Sequence, residues 1–311
     1  MNIKIKKINL KHSFIFFLLC NIFSILTFKI THFTISPFIC LLLILSIGVS
    51  HGSLDNEKGR KLFQIFHINN FFIFYLSYIS ISLIVIFFWV IIPSISLIIF
   101  LLVASYHFGK EDTQFLVIKN SYFNQLLFFL KGSLIIWAPL YFHFDDTISI
   151  FKLLLVDNES FYKTMDLIET NKILFFGIIL STVSSIILFT NNFEIKKFSI
   201  FLDYFSILII NYYFSPLVAF TIYFCFLHSI RHSISLISEL DKNDLINGLK
   251  IFTKKALPLT ILTATFCFIG LYLLNNTYNF DNSILKIIFI GLASLTFPHI
   301  LLEYLIEKNE K

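Results

Sequence analysis

Stretches of about 20 apolar residues recur along this 311-residue chain, and they constrain its fold more than any other feature. A helix of that length crosses the hydrocarbon core of a bilayer and satisfies its backbone hydrogen bonds internally. Charged residues make up 14% of the chain, whereas soluble domains carry about 25%. The sequence therefore predicts an all-α, polytopic transmembrane helix bundle, with residues 1–311 as a single membrane-embedded domain.

We predict about ten spans, within a range of about eight to ten, from the length that a bilayer requires. Pro37, Pro93, Pro216 and Pro258 fit the first turns of helices. Further amphipathic helices at the membrane interface are predicted within 145–172 and 241–255. The predicted spans cover residues 13–30, 34–51, 69–91, 93–109, 121–143, 173–191, 198–214, 216–237, 256–274 and 284–306.

Lysine and arginine predict the orientation, because they concentrate in cytoplasmic segments of membrane proteins. With the N-terminus inside, most of the 24 basic residues fall on the cytoplasmic side. We therefore expect a multi-pass protein of the inner (cytoplasmic) membrane with both termini in the cytoplasm. The net charge of +5 fits this distribution, so no nucleic-acid partner is expected.

Five of the nine histidines are predicted to share one depth near the cytoplasmic face. His228 and His232 are separated by one helical turn, so both imidazoles can point at one centre. The predicted orientation places His51, His107 and His299 at the same level. Polar groups inside spans are energetically costly and usually functional. These histidines predict a metal site, and an imidazole-rich site suits iron, copper or zinc.

Three of these histidines are followed four residues later by an acid. In a helix, each acid would lie on the same face as its histidine and could hold the second imidazole N–H or bind the metal itself. The alternative is a solvated helix end beside an interfacial histidine. The pairs are His51 with Asp55, His107 with Glu111, and His299 with Glu303.

Arg231, between the paired histidines, is expected either to pair with an acid or to extend to the inner surface. Its candidate partners are Asp55, Glu111 and Asp112. Tyr106, Trp137 and Tyr223 are candidates for lining an apolar substrate tunnel, although aromatic residues in spans usually serve packing alone.

Four polar stretches carry a resemblance that extends from residue 48 to residue 304. In this order they resemble the Brp/Blh family of integral-membrane β-carotene 15,15'-dioxygenases. One departure is Asn56, at a position where many members have histidine. The stretches are GVSHGSLDNEKGR (48–60), SYHFGKED (105–112), LHSIRH (227–232) and FPHILLEY (297–304).

The resemblance implies an enzyme that cleaves all-trans-β-carotene with O2 at its central double bond and forms two molecules of retinal. It implies an Fe(2+) centre held by His51, His107, His228 and His232, with His299 as a possible further ligand. The substrate would enter from the lipid bilayer, and a rhodopsin-type pump is a possible acceptor of the retinal. The residues around these ligands would be Arg231 and the acids Asp55, Glu111, Asp112 and Glu303.

Other functions remain open on the sequence alone. A diiron oxidase or desaturase would carry more HxxxH or HxxHH boxes, and this chain has one HxxxH. A transporter would spread histidines and carboxylates over several depths along a path. A bis-histidine haem protein and a purely structural subunit are further alternatives.

Overall fold

The computed structural model describes residues 3–28, 35–117 and 121–309, and within these ranges it contains helices but no strand. The all-α prediction is therefore confirmed. The α-helices are α1 (Ile3–Phe28), α2 (Pro37–Leu43), α3 (Asp55–Ile65), α4 (Phe72–Ile91), α5 (Pro93–Glu111), α6 (Tyr122–Gly132), α7 (Leu134–Phe142), α8 (Phe144–Leu153), α9 (Glu159–Thr170), α10 (Ile173–Thr190), α11 (Phe198–Tyr213), α12 (Pro216–Ile222), α13 (Ile230–Leu240), α14 (Leu245–Leu274) and α15 (Phe280–Asn309).

Among the described residues, eight helical segments are long and apolar enough to cross a membrane. A ninth is counted if Pro37–Gly48 and Gly52–Ile65, which meet at a 40° bend, form one span. The sequence predicted about ten spans, and α11 accounts for part of the difference. Its 16 residues fall just short of the about 17 that a span needs. The polytopic class is confirmed, and the eight or nine segments lie at the lower end of the predicted range of about eight to ten.

Prolines mark three helix starts as predicted, because Pro37, Pro93 and Pro216 lie in the first turns of their helices. Pro258 does not mark a start and lies inside α14. That helix begins at Leu245, since the Asp244 carboxylate accepts hydrogen bonds from backbone N–H groups of the first turn.

The two predicted interfacial segments also differ from expectation. Most of 241–255 is the start of the long helix α14 and not a separate helix. Residues 145–172 hold most of α8 and all of α9 instead of one amphipathic helix. Both differences arise at helix caps, where a single Asp or Asn side chain decides the boundary.

Helices α5 and α6 pack backbone against backbone through two facing glycines. A Cβ atom on Gly109 would overlap with the carbonyl oxygen of Phe128, and one on Gly132 would overlap with the carbonyl oxygen of Ser105. Glycine allows this approach because it has no side chain. The contact fixes the C-terminal half of α5, which carries His107.

The histidine-bearing segments lie inside the bundle, and two other spans lie at its periphery. In the most apolar 18-residue stretch of each segment, 67% of the residues of Pro216–Leu240 and 50% of those of α15 are buried. In the corresponding stretches of α4 and α14, only 11% and 6% of the residues are buried, so their apolar side chains face outward. The polar residues therefore lie behind a layer of lipid-facing helices.

Candidate metal centre

Four histidine rings from three regions of the chain meet inside the bundle. The His107 ring centroid lies 5.4 Å from those of both His228 and His299, and the His232 and His299 centroids are 5.9 Å apart. All four residues are buried. The structure thus brings together four of the five predicted histidines; the fifth, His51, has a side chain outside the described part of the structure.

His228 lies in a π-helix and His232 in the α-helix that follows it, and their rings contact different neighbours. Tyr223–Ser229 adopts the wider π geometry, which continues directly into α13. A π-helical insertion rotates the preceding residues relative to those that follow. As a result, His228 faces His107, whereas His232 approaches His299 and the carboxylate of Glu303.

Carboxylates hold the Nδ1 atoms of two of these rings. His228 Nδ1 lies 3.1 Å from Asp112 Oδ1, and His299 Nδ1 lies 2.9 Å from both carboxylate oxygens of Asp55. A carboxylate at Nδ1 keeps the proton there and presents the Nε2 lone pair at the other end of the ring. This arrangement is typical of metal-binding histidines.

Two tyrosines hold the carboxylates in turn. Tyr223 donates to Asp112 at 2.6 Å, and Tyr78 donates to Asp55 at 2.8 Å. Each histidine therefore ends a chain of two hydrogen bonds that fixes its ring plane. Tyr78 was not anticipated, because it lies in an apolar run with no motif around it.

The predicted same-helix pairing of histidines and acids differs from the observed pairing. Asp55 begins α3 after a 3₁₀ segment, so it does not continue the helix that contains position 51, and its partner is His299. Glu111 accepts from Gln114 at 2.6 Å and lies 3.8 Å from His232. Of the two pairs whose side chains the structure describes, only the third of the predicted pairs is observed, with His299 Nε2 3.5 Å from Glu303 Oε1.

Glu303 belongs to two groups of candidate metal ligands. The first is His107, His299 and Glu303, and the second is Glu111, His232 and Glu303; within each group the ligand atoms lie within 4.8 Å of one another. Lys58 donates to Glu303 Oε1 at 2.6 Å and balances part of its charge. The polar stretch 48–60 contains this lysine, but the spacing gave no reason to single it out.

The chemistry of these donors fits a transition metal. Imidazoles with carboxylates behind them suit iron, copper or zinc better than Mg²⁺ or Ca²⁺, which prefer oxygen ligands. Among the described residues, His107, His299 and Glu303 form one group that could hold a metal ion, and Glu111, His232 and Glu303 form another; His228 packs beside His107.

Arg231 does not pair with the carboxylate of any of the three predicted acids. Its guanidinium binds Asp203 through two hydrogen bonds of 2.6 and 3.0 Å. It also donates to the Ser13 hydroxyl at 2.7 Å and to the backbone carbonyl oxygen of Asp112 at 3.1 Å. Arg231 thus ties α1 and α11 to the residue that holds His228. Asp203, a lone acid in an apolar run, was a signal that the sequence analysis missed.

An apolar groove reaches the histidines from the periphery of the bundle. We call this cavity of about 480 Å³ the lipid-facing groove; it lies between α4 and α14, with α15 as its floor. His107, His228 and His299 line its inner end. A second cavity, between α5 and α15, also reaches His107 and has a more polar lining that includes Glu111 and Glu303.

The three aromatic candidates for a substrate tunnel lie elsewhere. Tyr106 lines the second cavity. Tyr223 is fully buried against Asp112, and Trp137 packs on Gly177 while donating to Ser133. Among the described residues, those that line the groove include aliphatic and phenylalanine side chains of α4, α14 and α15, together with Tyr75 and Tyr78 of α4.

Comparison with known proteins gives two matches that cover most of the chain. A family model described as beta-carotene 15,15'-dioxygenase matches residues 42–307. A beta-carotene 15,15'-dioxygenase from uncultured marine bacterium 66A03 is 27% identical over 274 residues, which span 84% of this chain and 90% of that protein. No solved structure matches.

Proposed function

The chain belongs to the beta-carotene 15,15'-dioxygenase family, and on this premise we propose that it cleaves all-trans-β-carotene with O2 into two molecules of retinal. The observation that carries the proposal is the position of three buried imidazoles at the inner end of a lipid-facing apolar groove. A C40 hydrocarbon dissolved in the bilayer needs both features, namely an apolar path and a metal at its end.

The proposed reaction balances without another reductant. The central carbon–carbon double bond breaks, and each of its two carbons takes one oxygen atom of O2 as an aldehyde. The enzyme must hold this one bond beside the centre and keep water away from it. The buried histidines and the apolar walls of the groove serve these two purposes.

Fe(2+) is the proposed metal, held by His107, His228 and His232 together with His51. His299 is the proposed further ligand, which is supported by the contact of its ring with His107 and by the carboxylate of Asp55 behind it. Iron bound there would supply the redox chemistry that makes O2 reactive toward the polyene.

The protein's own groups would keep the ligands in place. Asp112 and Asp55 fix the ring orientations of His228 and His299, and Lys58 keeps Glu303 charged and directed toward the histidines. Arg231 fixes the chain at Asp112 through its backbone oxygen. These contacts position the site before substrate arrives.

We further propose a setting in the inner membrane, with both termini in the cytoplasm and the histidines near that face. Retinal is apolar, so it would leave into the same bilayer that supplied β-carotene. A membrane protein that binds retinal, such as a rhodopsin-type pump, would be its acceptor.

A dinuclear metal oxidase is a second candidate, favoured by one observation. Glu303 is common to both groups of candidate ligands, as a bridging carboxylate would be. Metal analysis of the purified protein separates the two proposals, because a dinuclear site requires two irons per chain.

Expression in bacterial cells that make β-carotene tests the proposed function. We expect the cells to lose their colour and accumulate retinal, and we expect His228→Ala to abolish both effects. His143→Ala is the matched control, since His143 lies in the turn between α7 and α8, away from the centre. Retinal formation by His228→Ala would refute the ligand assignment, and apocarotenals of unequal length would refute central cleavage.

A further inference from the structure

The lipid-facing groove has two walls that belong to different helices and do not close over it. Along α4 it is lined from Phe74 to Ile86, and along α14 from Leu259 to Phe266. Its floor is α15, where Leu292 and His299 mark the extent of the lining. Both walls pack on α15, which closes the inner side of the groove. The space between the walls is open at the periphery of the bundle.

The side chains on both walls are exposed at the surface where lipid acyl chains would lie. Ile79 and Leu83 of α4 are 57% and 59% exposed, and Leu262 and Phe266 of α14 are 50% and 65% exposed. All four also line the groove. Since α4 and α14 both qualify as membrane spans, the groove opens to the hydrocarbon core and not to water.

The groove is long enough for part of a polyene. The lining residues of α4 run from Phe74 to Ile86, a distance of 12 residue steps, which at the helical rise is about 18 Å, or more than half of the about 30 Å hydrocarbon core. An extended chain advances about 1.2 Å per bond, so this length accommodates about 15 bonds. One ring-bearing half of a C40 polyene fits within that length.

Polar groups occur at the inner end of the groove. Tyr78 donates to Asp55 there, beside His299, and His107 and His228 complete the end wall. The rest of the lining is mainly apolar. A molecule that fills the groove therefore presents one part of its chain to the histidines and keeps the remainder in an apolar environment.

We infer that the lipid-facing groove is the binding site for one half of the carotenoid, which enters sideways from the bilayer between α4 and α14. This inference rests on the proposed function. It assigns Ile79, Leu83, Leu262 and Phe266 to substrate binding, and none of them is a candidate metal ligand.

Bulky side chains placed in the groove test the inference. Leu83→Trp and Leu262→Trp would fill it from its two walls. Leu76→Trp and Ile261→Trp are matched controls on the same helices: both residues are 56% exposed, and neither lines the groove. Retinal formation would be measured in β-carotene-making cells, together with the iron content of each purified variant.

We expect the two groove variants to lose about 10²-fold in retinal formation while keeping the iron content of the controls, because a displaced polyene misses the centre. Purification without O2 should retain β-carotene in the wild-type and control proteins and not in the groove variants. Wild-type-like cleavage and pigment retention by both groove variants would overturn the inference and leave the groove to membrane lipid. Absence of retinal from the wild type and controls would instead overturn the proposed function.

Discussion

The Nδ1 atom of His299 lies 2.9 Å from both carboxylate oxygens of Asp55, although 244 residues separate the two in the chain. The contact joins α3 to α15 beside the inner end of the lipid-facing groove. It gives His299, whose role the sequence left open, the same kind of carboxylate support that Asp112 gives His228.

Replacing Asp55 by asparagine should weaken metal binding by about 10- to 100-fold, because the negative charge behind the His299 ring is lost. Iron affinity can be measured by competition with a chelator of known affinity. Glu57→Gln is the matched control on the same helix, since Glu57 pairs with Lys255 and faces away from the centre. Equal iron affinity in the two variants would remove His299 from the ligand set.

Asp203→Asn should destabilise the protein by about 3–5 kcal/mol, because it leaves the charge of buried Arg231 without its counter-charge. Unfolding by heat or denaturant in detergent micelles would measure this change. Glu307→Gln breaks the more exposed Lys110–Glu307 pair and should cost about 0–1 kcal/mol.

A double variant distinguishes lost charge balance from lost packing at this pair. Arg231→Met combined with Asp203→Leu removes both charges and should recover most of the stability of the wild type. If the double variant is no more stable than Asp203→Asn, the pair stabilises the fold by its shape and hydrogen bonds and not by mutual neutralisation.

Gly109→Ala should force α5 and α6 apart, since the new methyl group would overlap with the backbone of Phe128. Overpacking of this kind costs about 1–3 kcal/mol, and here it would also move His107. We expect a lower midpoint of thermal unfolding together with lower retinal formation. Gly291→Ala is the control, because no atom lies within 4 Å of the added Cβ.

Iron should stabilise the folded protein by about 2.7 kcal/mol when the free metal is at 100 times its dissociation constant. The unfolding midpoint of metal-free protein should therefore rise as Fe(2+) is added without O2. Mg²⁺ should produce no comparable rise, since it prefers oxygen ligands. A midpoint that does not respond to iron would contradict the assignment of the histidine cluster as a metal centre.

The local pattern of the sequence was sufficient to predict that the chain is a membrane protein and that these histidines lie close together. Long apolar runs predict spans because a bilayer allows few alternatives. Within those runs, His107, His228, His232 and His299 stand out as costly polar groups, and the structure brings their rings together. The basic residues predicted the orientation of the spans, and that orientation predicted one membrane depth for these histidines.

The same pattern failed where it assumed a regular helix. Same-helix spacing assumed a regular α-helix from position 51 to Asp55, but position 51 lies in a 3₁₀ segment, and Asp55 binds His299. The π-helix at Tyr223–Ser229 was likewise not predicted; it contains His228, whose ring packs against His107, while the ring of His232 packs against His299. Backbone irregularities of this kind have no simple signature in residue type.

The sequence by itself determined that this chain is a helical membrane protein whose spans carry histidines and carboxylates, because hydropathy and charge act residue by residue. Only the tertiary structure decided which acid holds which histidine, that Asp203 neutralises Arg231, and where a groove opens to lipid. Those relationships depend on how helices far apart in the chain pack together, and the spacing of residues within one helix does not contain that information.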